Sequence, residues 1–421
     1  ASWLLYKRIT QIRKNIFLGK SEDRNDNKPE RWKTMWLVAF GQKKMFKRII
    51  PAFLHLLIYV GFLVINLEVL EFVIDGLAGT HRIFAPILGD FYTVLINVFE
   101  FLTVGVLFSC VVFLIRRNVL KVKRFHAAEM KKWPTLDANL ILVIEIVLMC
   151  AILTMNATDM LIQGNDEHYA QTGKFFFSSF LTPLFEGMST STLIAIERSA
   201  WWFHIVGILA FLNYLVISKH LHIILAFPNT YYSNIETDGK LANMDSVTNE
   251  VKKMLDPNID PFADSDDTLP ERFGAKDIQD LSWIQLMNAY SCTECGRCTS
   301  ECPANQTGKL LSSRKIMMDV RDRVEEVGKG IDKEGKTFND NKSLLDLITK
   351  EELWACTSCN ACVNACPINI DPLSIIIDLR RYLVMEESAA PMELNNIFTN
   401  IENNGAPWQF SMSDRLNWKD E

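Results

Sequence analysis

Hydrophobic residues crowd into the first 230 positions of this 421-residue chain and thin out beyond them. Four runs, residues 50–74, 92–115, 136–156 and 201–227, are apolar and long enough to cross a hydrocarbon core of about 30 Å as helices. The chain opens ASWLLYKR without a methionine, and the apolar stub from Ala1 to Tyr6 reads as the end of a further hydrophobic segment, a fifth span. Residues 228–280 are polar and acidic, and the stretch DPNIDPFADSDDTLPERFG has no apolar period, which predicts an extended linker. Past it, DLSWIQLMNAY, LLSSRKIMMDVRDRVEEV, NKSLLDLITKEELW and DPLSIIIDLRRYLVMEE repeat apolar residues every three or four positions, the period of short amphipathic helices. Asp371 and Pro372 suit an N-cap and a first helical position. The expected fold is all-α: a basic N-terminal segment (1–49), a transmembrane helical bundle (50–227), the linker (228–280), a helical domain (281–388) and a tail (389–421).

Charge orients the bundle. Residues 7–49 carry thirteen Lys and Arg against four acids, and residues 116–132 seven against one, whereas 75–91 hold only Arg82 and 157–200 only Lys174 and Arg198. Basic connecting segments stay in the cytoplasm, so alternation places everything after Phe227 there too. None of the apolar runs has the form of a cleavable signal peptide. The net charge of −6 comes with no basic domain, so the lipid bilayer rather than nucleic acid is the expected partner.

Eight of the ten cysteines fall in two copies of one spacing. CTECGRCTSECP at 292–303 recurs as CTSCNACVNACP at 356–367, each C-x2-C-x2-C-x3-C-P. Three thiolates two residues apart grip three corners of one [4Fe-4S] cubane, and the fourth cysteine, carried off before proline, ligates the other cluster. Cluster one then takes Cys292, Cys295, Cys298 and Cys366, and cluster two takes Cys356, Cys359, Cys362 and Cys302. Zinc has no use for the third C-x2-C step, and disulfide frameworks belong to small secreted domains. Cys110 and Cys150 lie in apolar runs and act as small buried hydrophobes. The 54-residue interval from Cys302 to Cys356 is too helical for a compact β-rich ferredoxin, and a helical dicluster ferredoxin domain fits it.

Histidine depth adds a second candidate chemistry. His204 and His222 stand eighteen residues apart in the last run, five turns and about 27 Å along one helix face. His55 enters the first run at the depth of His222, so these two make a natural axial pair for haem b. His204 would serve a second haem, but three turns after His55 the chain offers Ile65 and Asn66, which leaves His81 as the candidate opposite ligand. His220 should point away from His222, toward a quinone, a haem propionate or nothing. Lys219 either snorkels or neutralises a propionate. His126 and His168 lie in loops and read as solvated. Glu68, Glu71, Glu100 and Glu145 fall within the spans, where a carboxylate is costly; they relay protons, or Glu68 and Glu71 hydrate at the outer interface. For each histidine the plain alternative is a polar side chain satisfied by a neighbouring helix.

The last run resembles the γ subunit of respiratory nitrate reductases, a dihaem cytochrome b, through the H-x17-H spacing, Ser218 with Lys219 before the final histidine, and His55 opposite. It departs from that pattern at position 65. The soluble half resembles the ferredoxin part of heterodisulfide reductases and of related membrane-bound Fe-S oxidoreductases. These resemblances imply an electron-transfer subunit of a bacterial or archaeal cytoplasmic membrane, joining the quinone pool through haem to two [4Fe-4S] clusters and a cytoplasmic Fe-S or flavin subunit. The CCG cysteine repeats of that family's catalytic module do not follow Cys366, so the substrate site is expected on a partner. Two alternatives remain: a structural or sensing component whose clusters only hold the fold, and an electron path without haem.

Overall fold

The structure, a computed structural model, describes residues 1–237, 239–258 and 272–420. Among them, four helices have the length and apolar character of membrane spans: α2 (Ile49–Ala78), α3 (Asp90–Asn118), α4 (Trp133–Ile162) and α5 (Thr190–Leu215). They follow the helix Ser2–Ile16, called α1. Gly79 ends α2 in a left-handed turn, its N–H donating to the Asp75 carbonyl at 2.9 Å. Ser189 caps α5 by accepting the Thr192 N–H at 3.3 Å. Neighbouring spans pack α2 on α3, α3 on α4 and α4 on α5. Glycines let them approach closely: a side chain at Gly61 would strike Val106, and one at Gly207 would strike Leu148.

The last apolar run is not one helix. It begins earlier than its hydrophobicity indicates, at Thr190, and α5 stops at Leu215. Ser218 is extended, residues Lys219–Leu221 form a tight turn, and a new helix, α6 (His222–Tyr231), follows. The cause is Asp137 on α4. Its carboxylate accepts the Lys219 backbone N–H at 3.0 Å and the Tyr214 hydroxyl at 2.6 Å, so the N–H that would extend α5 is diverted. His204 and His222 therefore do not share a helix face, and the 27 Å rise between them does not apply.

Residues 1–6 open the amphipathic helix α1, which lies on the cysteine-bearing domain: Ile12 and Ile16 enter that domain's core, and Asn15 donates to the buried Tyr290 hydroxyl at 2.9 Å. That core is built by α7 (Trp283–Ser291), α8 (Ser313–Glu334) and α9 (Pro372–Met385), which bury Leu286, Ala289, Ile316, Val320, Ile376, Leu379 and Leu383 together. Asp371 caps α9, accepting the Ser374 N–H at 3.0 Å, with Pro372 in the first turn as expected. The expected linker is partly helical, at His222–Tyr231 and Asp245–Leu255, and its residues 259–271 lie outside the described residues.

The cysteine-bearing domain is bolted to the basic end of the bundle. Arg314, with no exposed side-chain surface, donates to Glu129 and to the Arg124 carbonyl, both at 2.6 Å. Arg48 pairs with Glu301 at 2.8 Å, and Lys44 donates to the Val363 carbonyl at 3.3 Å. Lys219 pairs with Glu294. Removing one partner of a buried pair leaves a stranded charge, so Glu129→Gln should lower stability by roughly 3 kcal/mol. Glu301→Gln, whose partner Arg48 is 30% exposed, should cost under about 1 kcal/mol. Denaturant titrations of the two variants, followed by the visible absorbance of the domain, measure the difference.

Candidate functional site

The two cysteine loops repeat in backbone as well as in sequence. Glu294 and Ser358 both take left-handed conformations, φ 55° and 56°, as do Gly296 and Asn360, φ 68° and 59°. The Glu294 N–H points at Cys292 Sγ and the Ser358 N–H at Cys356 Sγ, each at 3.4 Å. Such turns curl three cysteines round one centre. Each loop then enters a short helix, Arg297–Glu301 or Ala361–Ala365, and the two helices pack on each other. Cys302 and Cys366 leave them extended, at φ −74°, ψ 119° and φ −71°, ψ 125°, and the following prolines prevent a return.

The packing of those helices delivers each fourth cysteine to the opposite loop. Cys366 lines one cavity with Cys292, Cys295 and Cys298, and Cys302 faces Cys356 and its neighbour Cys359. Burial pushes the Cys292 and Cys362 thiols up to about 12 and Cys366 to about 11. Thiolates there need a cation, so metal binding expels protons as it orders the loops. Among the described residues, no three His, Cys, Asp or Glu side chains converge on a single metal ion.

Glu294, 3% exposed, is a site residue that the spacing did not single out. Burial opposes its charge, but the Lys219 ammonium and the Arg321 guanidinium, 2.8 Å away, hold its carboxyl below the usual range. Lys219 also donates to the Pro134 carbonyl at 2.6 Å. These two contacts bury its ammonium and keep it from snorkelling to water, while the side chain still lines the histidine cavity. An acidic residue inside a cysteine loop was the available signal.

The cavity that Cys292, Cys295, Cys298 and Cys366 line, about 410 Å³, runs on to His55, His220 and His222. The His55 and His222 rings lie 6.4 Å apart, centre to centre. His55 Nδ1 meets the Gln42 side-chain oxygen at 3.1 Å, and His222 Nδ1 meets the Lys219 carbonyl at 3.0 Å. Oxygens of this kind only accept, so each ring carries its proton on Nδ1 and has its lone pair on Nε2. His220 does not point away from His222: the turn that ends α5 brings the two rings within 5.6 Å, beside the same cavity. Arg116, Arg117, Arg124 and Arg297 line it as well. Buried nitrogens of Arg117 and Arg124 have no hydrogen-bond partner. In the sequence these arginines signal only orientation.

The other histidines fall elsewhere. His204 is buried, its Nδ1 3.1 Å from the Leu148 carbonyl, beside a second cavity of about 80 Å³ that Ile65, Asn66 and Glu145 also line. His81 does not face it. Its Nε2 is 3.3 Å from an Asp159 carboxylate oxygen, and its Nδ1 accepts the Ala170 N–H at 3.2 Å, both away from that cavity. His126 and His168 are exposed, as loop residues should be.

Duplicated cysteine loops on a helical scaffold, joined to a membrane-spanning bundle, define a membrane-associated iron-sulfur electron-transfer protein. Residues 288–370 match the family model of the 4Fe-4S dicluster domain. The chain is 29% identical to a probable iron-sulfur-binding oxidoreductase, FadF, of Bacillus subtilis, over 96% of its own length and 57% of that protein's. It is 27% identical to the EtfAB:quinone oxidoreductase of Syntrophomonas wolfei, over 96% and 56% of the two lengths. Over 25% of its length it is 28% identical to 52% of one of the polypeptides of the ferredoxin:CoB-CoM heterodisulfide reductase of Methanosarcina mazei. The chain thus spans little more than half the length of the first two relatives. No solved structure matches it.

Exposure distinguishes individual cysteines. Cys359 is exposed, whereas Cys292 and Cys366 are buried. Limited ferricyanide oxidation followed by alkylation and peptide mapping should label Cys359 first and Cys292 and Cys366 last.

Proposed function

We propose that the chain conducts electrons between a quinone in the bilayer and a redox subunit on its basic, cytoplasmic side. In this reading Cys292, Cys295, Cys298 and Cys366 hold one [4Fe-4S] cluster, Cys356, Cys359, Cys362 and Cys302 hold the other, and His55 and His222 hold a haem b. The supporting observation is the cavity that joins the histidine pair to the first cysteine set. The residues fit the group: 6.4 Å between ring centres leaves room for one iron at a bond of about 2 Å to each imidazole, and the unpaired Arg117 and Arg124 nitrogens suit the haem carboxylates.

When bound, these cofactors supply one-electron steps at potentials the protein tunes. The chain's own residues set those conditions. Gln42 and Lys219 fix the tautomers of His55 and His222. The N–H groups of Glu294, Ser358 and Ile370, the last 3.3 Å from Cys366 Sγ, place positive dipole ends on thiolate sulfur. The first cysteine set faces the bundle, and Cys359 of the second is exposed. Entry on the membrane side and exit at Cys359, or the reverse, follows. A second haem at His204 does not fit, since Ile65 and Asn66 face it and His81 is engaged. The quinone link is supported by the name of the Syntrophomonas wolfei relative. The likeness to one of the polypeptides of a heterodisulfide reductase supports an Fe-S or flavin redox partner. A bacterial or archaeal cytoplasmic membrane suits the charge asymmetry.

Purified protein should show a dithionite-reducible b-type optical band and about eight non-haem iron atoms per chain. His222→Ala should abolish the band and leave the iron-sulfur signals. Added menaquinol should reduce both in the native protein. Absence of the band sinks the haem step, and clusters that never change oxidation state in potentiometric EPR return the structural alternative.

A further inference from the structure

Of the four glutamates within the spans, three lie toward the end remote from the cysteines. Glu68, Glu71 and Glu100 are 2%, 3% and 1% exposed, so Glu68 and Glu71 are not hydrated at an outer interface, the alternative their position in the sequence allows. Glu71 accepts the Tyr92 hydroxyl at 2.7 Å and the Phe84 N–H at 3.0 Å, and Glu100 accepts the Phe177 N–H at 2.8 Å. None of the three lines a cavity of the bundle interior. The fourth, Glu145 on α4, lines both: the large cavity with His55 and His222, and the smaller one with His204. Among the described residues it has no hydrogen-bond or ion-pair partner. A carboxyl group in that position is costly, and such groups mark sites.

His204 supplies a second unpaired group to the smaller cavity. Its Nδ1 lies 3.1 Å from the Leu148 carbonyl, which only accepts, so the proton is on Nδ1 and Nε2 keeps its lone pair without a protein partner. The rest of the wall is apolar, with Ile65, Val106, Leu148 and Ile208. Lipid reaches this space. Phe62 and Asn66, near the middle of α2, line the cavity and are also exposed on the surface of the bundle. The side they open is the seam between the first and last spans, α2 and α5, which are not among the closely packed pairs. About 80 Å³ takes the oxygen-bearing edge of a ring, and the open seam takes the remainder. An apolar hollow with a few convergent polar groups is the usual form of a small-molecule site.

We propose that this hollow is the quinol-binding site of the bundle. A quinol enters sideways from the lipid between α2 and α5 and lays its ring on the apolar wall; one hydroxyl donates to His204 Nε2 and the other to the Glu145 carboxyl group. The site deepens the quinone reading above and rests on it. The reduced form is the one that suits it, because a quinol brings two O–H donors to two acceptors, whereas a quinone carries acceptors alone. Ile58, Phe62 and Glu145 line both cavities, so the bound ring shares a wall with the space between His55 and His222. His204 and Glu145 are binding residues in this arrangement.

The test uses the full chain with its cofactors in lipid nanodiscs. A photoreactive azidoquinone should label residues 58–69 and 204–211, and menaquinol should compete the label away. The menaquinol concentration for half-maximal reduction of the protein should rise about tenfold in His204→Ala and in Glu145→Leu, each of which loses one hydrogen bond to a buried group. Glu145→Gln, which keeps a carbonyl acceptor, should recover most of the loss. Ile208→Trp, which fills the hollow, should abolish the labelling, and dithionite should still reduce every variant. Labelling confined to other segments overturns the proposal, as do native menaquinol dependences in His204→Ala, Glu145→Leu and Ile208→Trp, which leave the quinone reading standing. A pyridine haemochrome assay that finds two haems per chain puts iron at His204 and overturns it as well. If the variants fail to assemble, the labelled segments of the native protein decide. If menaquinol reduces nothing in the native protein, the quinone reading fails and the site falls with it.

Discussion

The ion pair of Lys219 with Glu294 is the contact on which the relation between bundle and cysteine domain turns. Lys219 and Glu294 side chains are 10% and 3% exposed, so the lysine leans on this carboxylate, which Arg321 also holds at 2.8 Å, and breaking a buried pair typically costs about 3–5 kcal/mol. The same lysine is held by its backbone. Its N–H goes to Asp137, which ends α5, and its carbonyl goes to His222 Nδ1. Glu294 in turn donates its N–H to Cys292 Sγ. Lys219 and Glu294 thus adjoin the end of the last span, an imidazole and a cysteine loop at once.

The rest of the interface repeats that logic with other partners. Arg314 is completely buried and reaches Glu129 and the Arg124 carbonyl on a connecting loop. Gly296, at φ 68°, lies against that guanidinium, where a side chain would collide with it. The basic residues that mark one end of the bundle thus have two uses. Some dock the cysteine domain, and others, Arg117 and Arg124 among them, face the cavity. Positive charge near thiolate sulfur and carboxylate also steadies any anionic group held there.

Much of this was legible in the chain. The first three apolar runs, the helical periods after residue 280, the Asp371 cap and the duplicated cysteine spacing appear where the pattern predicts, because each is a local or strictly periodic signal. The pairing of His55 with His222 was legible as well, but the placing of His204 five turns below His222 on one helix was not. α5 and α6 are separate helices, and hydropathy cannot register the Asp137 carboxylate that parts them. For the same reason His220 faces the cavity and Lys219 does not snorkel. Gln42, Glu294 and the cavity arginines were illegible as site residues because tertiary packing, and no spacing, brings them to their partners. The packing of α1 on the cysteine-bearing domain was not legible, because it rests on the distant partners of Ile12 and Ile16 and on no local pattern.

The exchange of the fourth cysteines has a further consequence. Neither loop possesses a full set of corner ligands, so a chain in which only one motif has folded offers three sulfurs and an open corner to the cell. Completion of either centre requires the two short helices to be already packed, which couples maturation of both inorganic groups to a single tertiary event.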